Sequence, residues 1–380
     1  MTIENTYAEV QLSINLTNLI DNYNLIRNVI QGIDCVPVVK ADAYGLGADK
    51  IVLALAKAGC KQFFVATADE GIALRHLLPD IAIHVFHGPN NHNKEAFRVY
   101  NMIPVINSLE QFHTWNNYGM DIANVLPAFL HIDTGMNRLG MTFEELKTNL
   151  SKIRQAEGIK WLYLMSHLAC ADNPNHTLNK HQLEQFQQAR RLFPFIKGSL
   201  ANSSGIFLGK NYLFHSVRPG AALYGINPTP YAQNPMKPVV SLKGKIIQHR
   251  YVNEPGTVSY SGTHQVEPGA RIAIVPIGYA DGYLRSLSNR PSIVSIGGHR
   301  APIIGVVTMD SIMIDVSHIP HELCQPGKEV QLMGGDIPLE ETAQAAGTIA
   351  YEMITCLGNR FKREYVSDAA PAKQNILTQA

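Results

Sequence analysis

The chain is poor in charge: Asp, Glu, Lys and Arg make up only 17% of 380 residues, and they nearly cancel to a formal net charge of +1. Such a balance offers no field for nucleic acid or an anionic membrane surface, so a small molecule is the expected ligand. Cysteines are few, odd in number and scattered: Cys35, Cys60, Cys170, Cys324 and Cys356 never fall in a C-x-x-C pattern. A disulfide framework and a cysteine zinc site are thereby disfavoured, and a reducing, cytoplasmic setting is expected. Nowhere do about 18 apolar residues run together, and the opening MTIENTYAEVQLSINL lacks a charged stretch followed by an apolar one, which argues against membrane spanning and secretion. There is no H-E-x-x-H and no carboxylate–histidine cluster to suggest metal chemistry, and no low-complexity segment. What is plentiful is apolar side chains, 46% of the chain, enough for a large barrel and a smaller partner domain.

After an alternating opening segment (8–15), the first two-thirds repeats a short apolar run followed by a helix-like stretch. The runs are 36–40, 63–66, 83–86, 103–106, 128–132, 161–167, 198–201 and 216–218. Continuous rather than alternating apolar runs separated by helices read as parallel strands buried on both faces. Eight is the number at which such a sheet closes into a β/α barrel, although an open doubly wound sheet satisfies the same pattern. The stretch 202–215 leaves little room for a full helix. From about residue 239 the texture alternates, with strands expected at 241–250, 271–276, 292–296, 303–307 and 312–316, and Gly297-Gly298 placed like a hairpin turn. Helices are expected at 338–346 and 349–357. The division is therefore a barrel over 9–238, a mostly antiparallel β domain over 239–368, and a frayed tail at 369–380.

Lys40, Arg138, His167, Ser203, Arg218 and Gly220 all fall at or just beyond the carboxyl ends of the expected barrel strands. In a closed barrel those ends converge on the face where barrel active sites are built. Lys40 follows an apolar run that would partly desolvate its amine, favouring the neutral nucleophile that a Schiff base requires. An isolated strand-end lysine would instead face solvent. The following YGLGA imitates a dinucleotide fingerprint, but Lys50 stands where the third glycine belongs. HIDTGMNRLG (131–140) puts Asp133, Asn137 and Arg138 in a polar turn, which alone would be an ordinary surface loop. His167 in SHLACAD could equally be a packed histidine. ANSSG (201–205) and VRPGAALYG (217–225) offer backbone N–H groups to an anion, as phosphate sites after the last barrel strands do.

These segments, with VVKADAYGLG (38–47), VSYSG (258–262), PIGYADGY (276–283), TMDSIMIDV (308–316) and AYEMITCLGNR (350–360), closely resemble alanine racemase of the fold-type III pyridoxal phosphate enzymes, in order and over nearly the whole chain. The resemblance implies a barrel and a β domain in a head-to-tail homodimer with shared active sites, the opening strand (1–15) joining the β domain. It implies that Lys40 carries pyridoxal 5'-phosphate and is one base, and that Tyr260 of the second subunit is the other. Racemisation needs two such bases on opposite faces. By the same likeness Arg218 faces the pyridine nitrogen, hydrogen-bonding it without fully protonating the ring, which favours racemisation over transamination. His167 bonds Arg218 and Tyr260. Tyr44, Ser203, Gly220, Ala221 and Tyr351 cradle the phosphate. Arg138 and the Met309 N–H meet the substrate carboxylate, and Tyr279 stands at the entry with Tyr351. D-alanine for peptidoglycan, or its catabolism, is the implied role.

Two positions depart from the family pattern. His131 stands where many members have a lysine modified to a carbamate that braces the equivalent of Arg138, and Thr308 replaces a cysteine common beside the substrate pocket. Histidine forms no stable carbamate, so a chloride, a carboxylate or an imidazole contact must brace Arg138 or leave it loose. Alternatives to the racemase are a serine or broad-specificity racemase, a fold-type III decarboxylase, and a non-catalytic cofactor-binding protein that would need Lys40 but no second base.

Overall fold

The computed structural model describes residue 5 and residues 7–367; the expected tail at 369–380 and part of the opening segment, 1–4 and 6, lie outside the described residues. Eight parallel strands form one curled sheet: Asp34–Cys35, Gln62–Val65, Ala82–Val85, Met102–Ile106, Leu126–His131, Ile159–Met165, Lys197–Asn202 and Ser216–Arg218. The sheet closes at both seams of its first strand. Asp34 and Cys35 pair with Ser216 and Val217, and beyond them Val38 bridges Phe64, with Val39 N donating to the Phe64 carbonyl and Phe64 N to that of Pro37. The expected run at 36–40 is therefore a strand of two residues followed by a single bridge. Pro37 has no N–H to continue the ladder.

Val36, Val38, Phe64, Val105, Phe129, Tyr163 and Met165 fill the barrel interior, so this is a packed core rather than a pore. Helices cover the outside, and several begin where sequence supplies a cap. Thr67 with Glu70 and Thr142 with Glu145 each form a reciprocal capping box, and Ser108 caps Leu109–Asp121. Helix Thr177–Leu192 turns Asn179, Gln182, Phe186 and Ala189 inward at helical spacing. Between the last two strands the chain makes only two 3₁₀ turns, Gly205–Leu208 and Lys210–Tyr212, as the short spacing required.

The second layer is a nine-stranded sheet in the order Gln248–Tyr251, Arg271–Val275, Ile312–Asp315, His299–Ile304, Ile293–Ile296, Glu329–Met333, Val240–Lys245, Val10–Asn15, Lys362–Val366. All neighbours are antiparallel except the last pair. Gly297 and Gly298, both at positive φ, make the two-residue hairpin between Ile296 and His299.

Three expectations are corrected here. The run at 241–250 splits into Val240–Lys245 and Gln248–Tyr251, because Ile246 bonds Lys328 while Ile247 bonds Ile274, so the chain changes neighbours mid-run. The strand expected at 303–307 is His299–Ile304, drawn back by the tightness of the hairpin. Strands Glu329–Met333 and Lys362–Val366 escaped the sequence reading; the latter is a charged edge strand that gains its order from the parallel pairing with Val10–Asn15.

An arginine fork fastens two loops of this layer. Arg360 Nε and Nη2 grip both oxygens of the buried Asp281 at 2.6 and 2.9 Å, Nη1 reaches Asp310 Oδ1 at 2.8 Å, and Asp281 also accepts the Gly278 N–H at 3.0 Å. Tyr279 N and Ala280 N in turn bond the Thr308 and Met309 carbonyls. Arg360→Ala strands a buried carboxylate, and we expect a loss of about 1–3 kcal/mol, moderated because the guanidinium is half-exposed. Urea unfolding of the purified protein checks this, and an unchanged midpoint would remove the fork from the stabilising contacts.

Candidate active site

Lys40 opens a segment that ordinary propensity would not form. The next four residues, Ala41, Asp42, Ala43 and Tyr44, all lie in the left-handed region with φ between 52° and 60°. Each such non-glycine residue costs about 1–2 kcal/mol, so the surroundings must hold the turn. Ala43 N bonds the Val39 carbonyl at 3.0 Å, Gly47 N the Asp42 carbonyl at 3.0 Å, and Ala48 N the Asp42 side chain at 2.7 Å. Glu70 ties the turn to the neighbouring strand end, accepting from Ala41 N at 2.7 Å through one oxygen and from Ala66 N at 2.7 Å through the other. From the second layer, Arg363 donates to the Gly45 carbonyl at 2.7 Å and the Tyr365 hydroxyl to that of Leu46 at 2.9 Å. A Cβ on Gly45 would stand 2.6 Å from the Ile354 carbonyl. The glycines of YGLGA thus serve close packing, and no dinucleotide loop is formed. Burial lowers the pKa of the Lys40 amine, the Arg138 charge lowers it further, and Glu70 opposes them.

A cavity of about 700 Å³ lies at the carboxyl ends of the barrel strands. Its walls bring together Lys40, Tyr44, Arg138, His167, Ser203, Arg218, Gly220, Ala221 and Tyr351, residues spread over more than three-quarters of the sequence. Arg218 is fully enclosed. One Nη donates to Ser199 Oγ at 2.5 Å; the other donates to the Ser166 carbonyl at 2.6 Å and the Leu200 carbonyl at 3.2 Å and lies 3.4 Å from His167 Nδ1. Its Nε has no partner among the described residues. Burial pushes the guanidinium down to about 9, still above neutrality, so it keeps its proton. Burial first, then the charges of Arg218 and Arg138, hold His167 well below the ordinary histidine value. The ring is neutral and its Nδ1 faces a donor, which places the proton on Nε2.

Ser203 Oγ gathers the backbone N–H groups of Gly220 at 3.0 Å and Ala222 at 3.2 Å, fixing the loop after the last strand. A Cβ on Gly220 would lie 2.2 Å from the Tyr44 hydroxyl, so glycine is what lets that hydroxyl approach the loop backbone. Burial and the neighbouring Tyr351 raise the Tyr44 pKa, which keeps it a donor. Tyr224, whose hydroxyl bonds the Val38 carbonyl at 3.0 Å, packs its ring 4.8 Å from that of Tyr44. Sequence reasoning missed Tyr224 as a support, since a buried tyrosine looks like any core aromatic.

Arg138 rides a loop whose shape Asp133 dictates: its two oxygens accept the N–H groups of Gly135, Met136 and Asn137 at 2.8, 2.9 and 2.9 Å. His131 N and O are strand atoms, and its buried ring bonds Asn107 at 2.7 Å. Asn107 also went unnoticed in the sequence, although it directly follows the run at 103–106 and the strand-end rule would have found it.

Three expected residues are not in these walls. Tyr260 is 70% exposed, Met309 52% and Tyr279 42%. They belong to the second layer, where Ser259 and Ser261, both at positive φ, throw Tyr260 outward.

With this geometry in view, comparison with known proteins gives one consistent answer. Residues 14–228 match the alanine racemase N-terminal domain and residues 239–365 the C-terminal domain. The chain is 42% identical to the alanine racemase of Rhodospirillum rubrum, covering 94% of this chain and 96% of that protein. It is 43% identical to the catabolic alanine racemase of Agrobacterium fabrum, covering 94% and 92%. Among solved structures it is similar to alanine racemase from Bartonella henselae with covalently bound pyridoxal phosphate, at a TM-score of 0.90 and 35% identity over 94% of this chain and 99% of the other. The biosynthetic enzyme of Pseudomonas aeruginosa follows at 0.88 and 33%, with the same coverages.

The buried histidines make acid stability a test of the site. Burial pushes His84 and His131 down to about 3, and His167 also falls well below its model-compound value of 6.5. Below that value the unfolded chain takes up protons that the folded chain refuses until about 3, so stability falls with pH across this window. We expect a loss of about 1 kcal/mol per histidine at one pH unit below the unfolded value. Urea midpoints measured at about pH 7.5 and 5.5 report it, and a flat profile would contradict the neutral assignment.

Proposed function

The chain belongs to the alanine racemase family, and from that premise we propose that it interconverts L- and D-alanine with pyridoxal 5'-phosphate, using Lys40 and Tyr260 as bases on opposite faces of the substrate. The observation that carries this reading is the convergence of Lys40, Tyr44, Arg138, His167, Ser203, Arg218, Gly220, Ala221 and Tyr351 on one cavity.

The residues present fit the cofactor. The orphaned Nε of Arg218 is a buried donor in want of an acceptor such as a pyridine nitrogen, and the recess kept open at Gly220, beside the Tyr44 hydroxyl, suits a phosphate. When bound, the cofactor supplies a carbonyl that captures an amine and a ring that draws electron density from the α-carbon. Lys40 is suited to the first contact because its lowered pKa leaves more of the amine unprotonated, and once freed it can take the proton from the α-carbon of D-alanine. Arg218, charged but a poor acid, hydrogen-bonds without giving up its proton, which limits the electron-sink character of the ring and favours return of the proton to carbon. His167 stands within reach of Arg218 and keeps a donor free on Nε2 for Tyr260. Arg138 and the Met309 N–H receive the carboxylate, with Tyr279 and Tyr351 at the entry.

Tyr260, Tyr279 and Met309 are each exposed and stand outside the chain's own cavity, which supports a homodimer in which each copy completes the other's site. The free thiols suit a reducing cytoplasm. Either supply of D-alanine for peptidoglycan or its breakdown is compatible with this chemistry.

Lys40→Ala should lose the visible absorbance of bound cofactor together with turnover, while keeping its circular dichroism. Tyr260→Phe should keep the absorbance and lose about 10²–10⁴-fold in kcat/KM, most severely from L-alanine. Retained turnover in the phenylalanine variant would rule Tyr260 out as a base. Refolding an equal mixture of the two variants should restore roughly a quarter of wild-type activity, since each mixed dimer holds one intact site. A mixture no more active than its parents would argue for sites confined to single chains.

A further inference from the structure

Two loops of the second layer are tied residue to residue, and the last tie is unlike the others. Tyr279 N donates to the Thr308 carbonyl at 3.0 Å and Ala280 N to the Met309 carbonyl at 3.1 Å. The next pair in the series is Asp281 and Asp310, two carboxylates that would repel each other and part the loops. Arg360 stands between them, with Nε and Nη2 on Asp281 and Nη1 on Asp310 at 2.8 Å. One guanidinium thereby turns a repulsive pair into a third tie, and its planar fork is what lets one side chain serve both. Asp281 is buried and also accepts the Gly278 N–H at 3.0 Å, whereas the exposed Asp310 carboxylate has no other partner among the described residues. The loops are close enough that a Cβ on Gly278 would stand 2.2 Å from the Thr308 carbonyl oxygen and 2.3 Å from that of Met309.

Among these ties sits the Met309 N–H. Thr308 N and Oγ1 both donate to the Ser311 carbonyl, at 3.0 and 2.9 Å, and Thr308 Oγ1 accepts Ser311 N at 3.0 Å, so the turn closes on itself. Thr308 and Met309 give their carbonyls to the neighbouring loop and Asp310 gives its side chain to Arg360, while the Met309 N–H bonds no described residue. The segment of Tyr260 is held elsewhere, by Ser259 Oγ on the Val306 carbonyl at 2.8 Å. The turn after Lys40 is held through Arg363. Asp281 reaches that second anchor through its backbone carbonyl, which accepts Gly358 N at 3.0 Å, and not through the carboxylate that Arg360 grips.

We propose that Arg360 is a positioning residue acting in trans: it fixes the loops that present the Met309 N–H and Tyr279 to the site of a second copy, and leaves both bases in place. Its loss therefore weakens capture of the substrate carboxylate more than turnover.

This inference rests on the reading of a site shared between two copies, and the test separates the two. Propionate, an alanine-sized carboxylate without the amine, is titrated into the holoenzyme by calorimetry, alongside KM and kcat for alanine. Arg360→Lys keeps a cation but not the fork; KM and the propionate Kd should rise about tenfold, the worth of one hydrogen bond to a charged group, while kcat stays within about threefold. Asp310→Ala removes the third tie with the buried Asp281 still gripped, should raise both by at least about threefold, and keeps the test decisive if Arg360→Lys does not fold. Unchanged propionate affinity in the folded variants, or a fall in kcat as large as the rise in KM, overturns the proposal. Co-expressed mixed dimers of Lys40→Ala and Tyr260→Phe chains locate the effect, because their one intact site takes its Met309 from the Lys40→Ala chain. Arg360→Lys added to that chain should raise KM about tenfold, and added to the Tyr260→Phe chain should leave KM within about twofold. Equal effects from either chain mark a fork that only stabilises the fold, and overturn the trans role. Mixed dimers with no activity, formed by chains that do assemble, bring down the shared-site reading and the trans role with it.

Discussion

Closure of the parallel sheet at Asp34–Cys35 and Val38 is the constraint on which the rest depends. The first strand is short and is interrupted by Pro37, yet its carbonyls and N–H groups meet both the last strand and the second. With the ring closed, eight carboxyl ends face one point, and side chains nearly 180 positions apart, from Lys40 to Arg218, share one cavity. An open sheet would spread the same residues along an edge. The packed interior below, from Val36 to Met165, gives the cavity its floor, and the polar groups above it stand at the strand ends and on the hydrogen-bonded loops that follow them.

The second layer does more than cap the barrel. Arg363 and Tyr365 in its edge strand hold the carbonyls of Gly45 and Leu46, and the Ile354 carbonyl packs on Gly45, so the turn after Lys40 is anchored from both sides. Four left-handed residues in succession would relax if either anchor were absent. The cost of that turn is offset by contacts from parts of the chain more than 300 residues away. Arg218 and His131 are buried in the cavity wall on fixed hydrogen-bond partners from the barrel, and His167 stands beside Arg218.

Much of this was legible in the residues. Eight continuous apolar runs specified parallel strands buried on both faces, and the position of Lys40, Arg138, His167, Ser203, Arg218 and Gly220 after those runs specified that they would gather at one end of the sheet. The double glycine at Gly297-Gly298 specified its hairpin. Where the reading failed, pairing partners were at fault: 241–250 looks continuous until its two halves find different neighbours, and Lys362–Val366 has too many charges to read as a strand before Val10–Asn15 lies beside it.

The sequence by itself determined the identity and order of the chemical groups, because residue type and apolar periodicity are local properties. Tertiary structure alone decided their state. Burial lowered the proton affinity of Lys40, His131 and His167, since desolvation depends on what the remainder of the chain packs around them. It also decided the tautomer of His131, through an asparagine 24 positions earlier whose own orientation is fixed by two carbonyls of the barrel wall. Such an orientation has no mark in the sequence, because it exists only once the strands stand side by side.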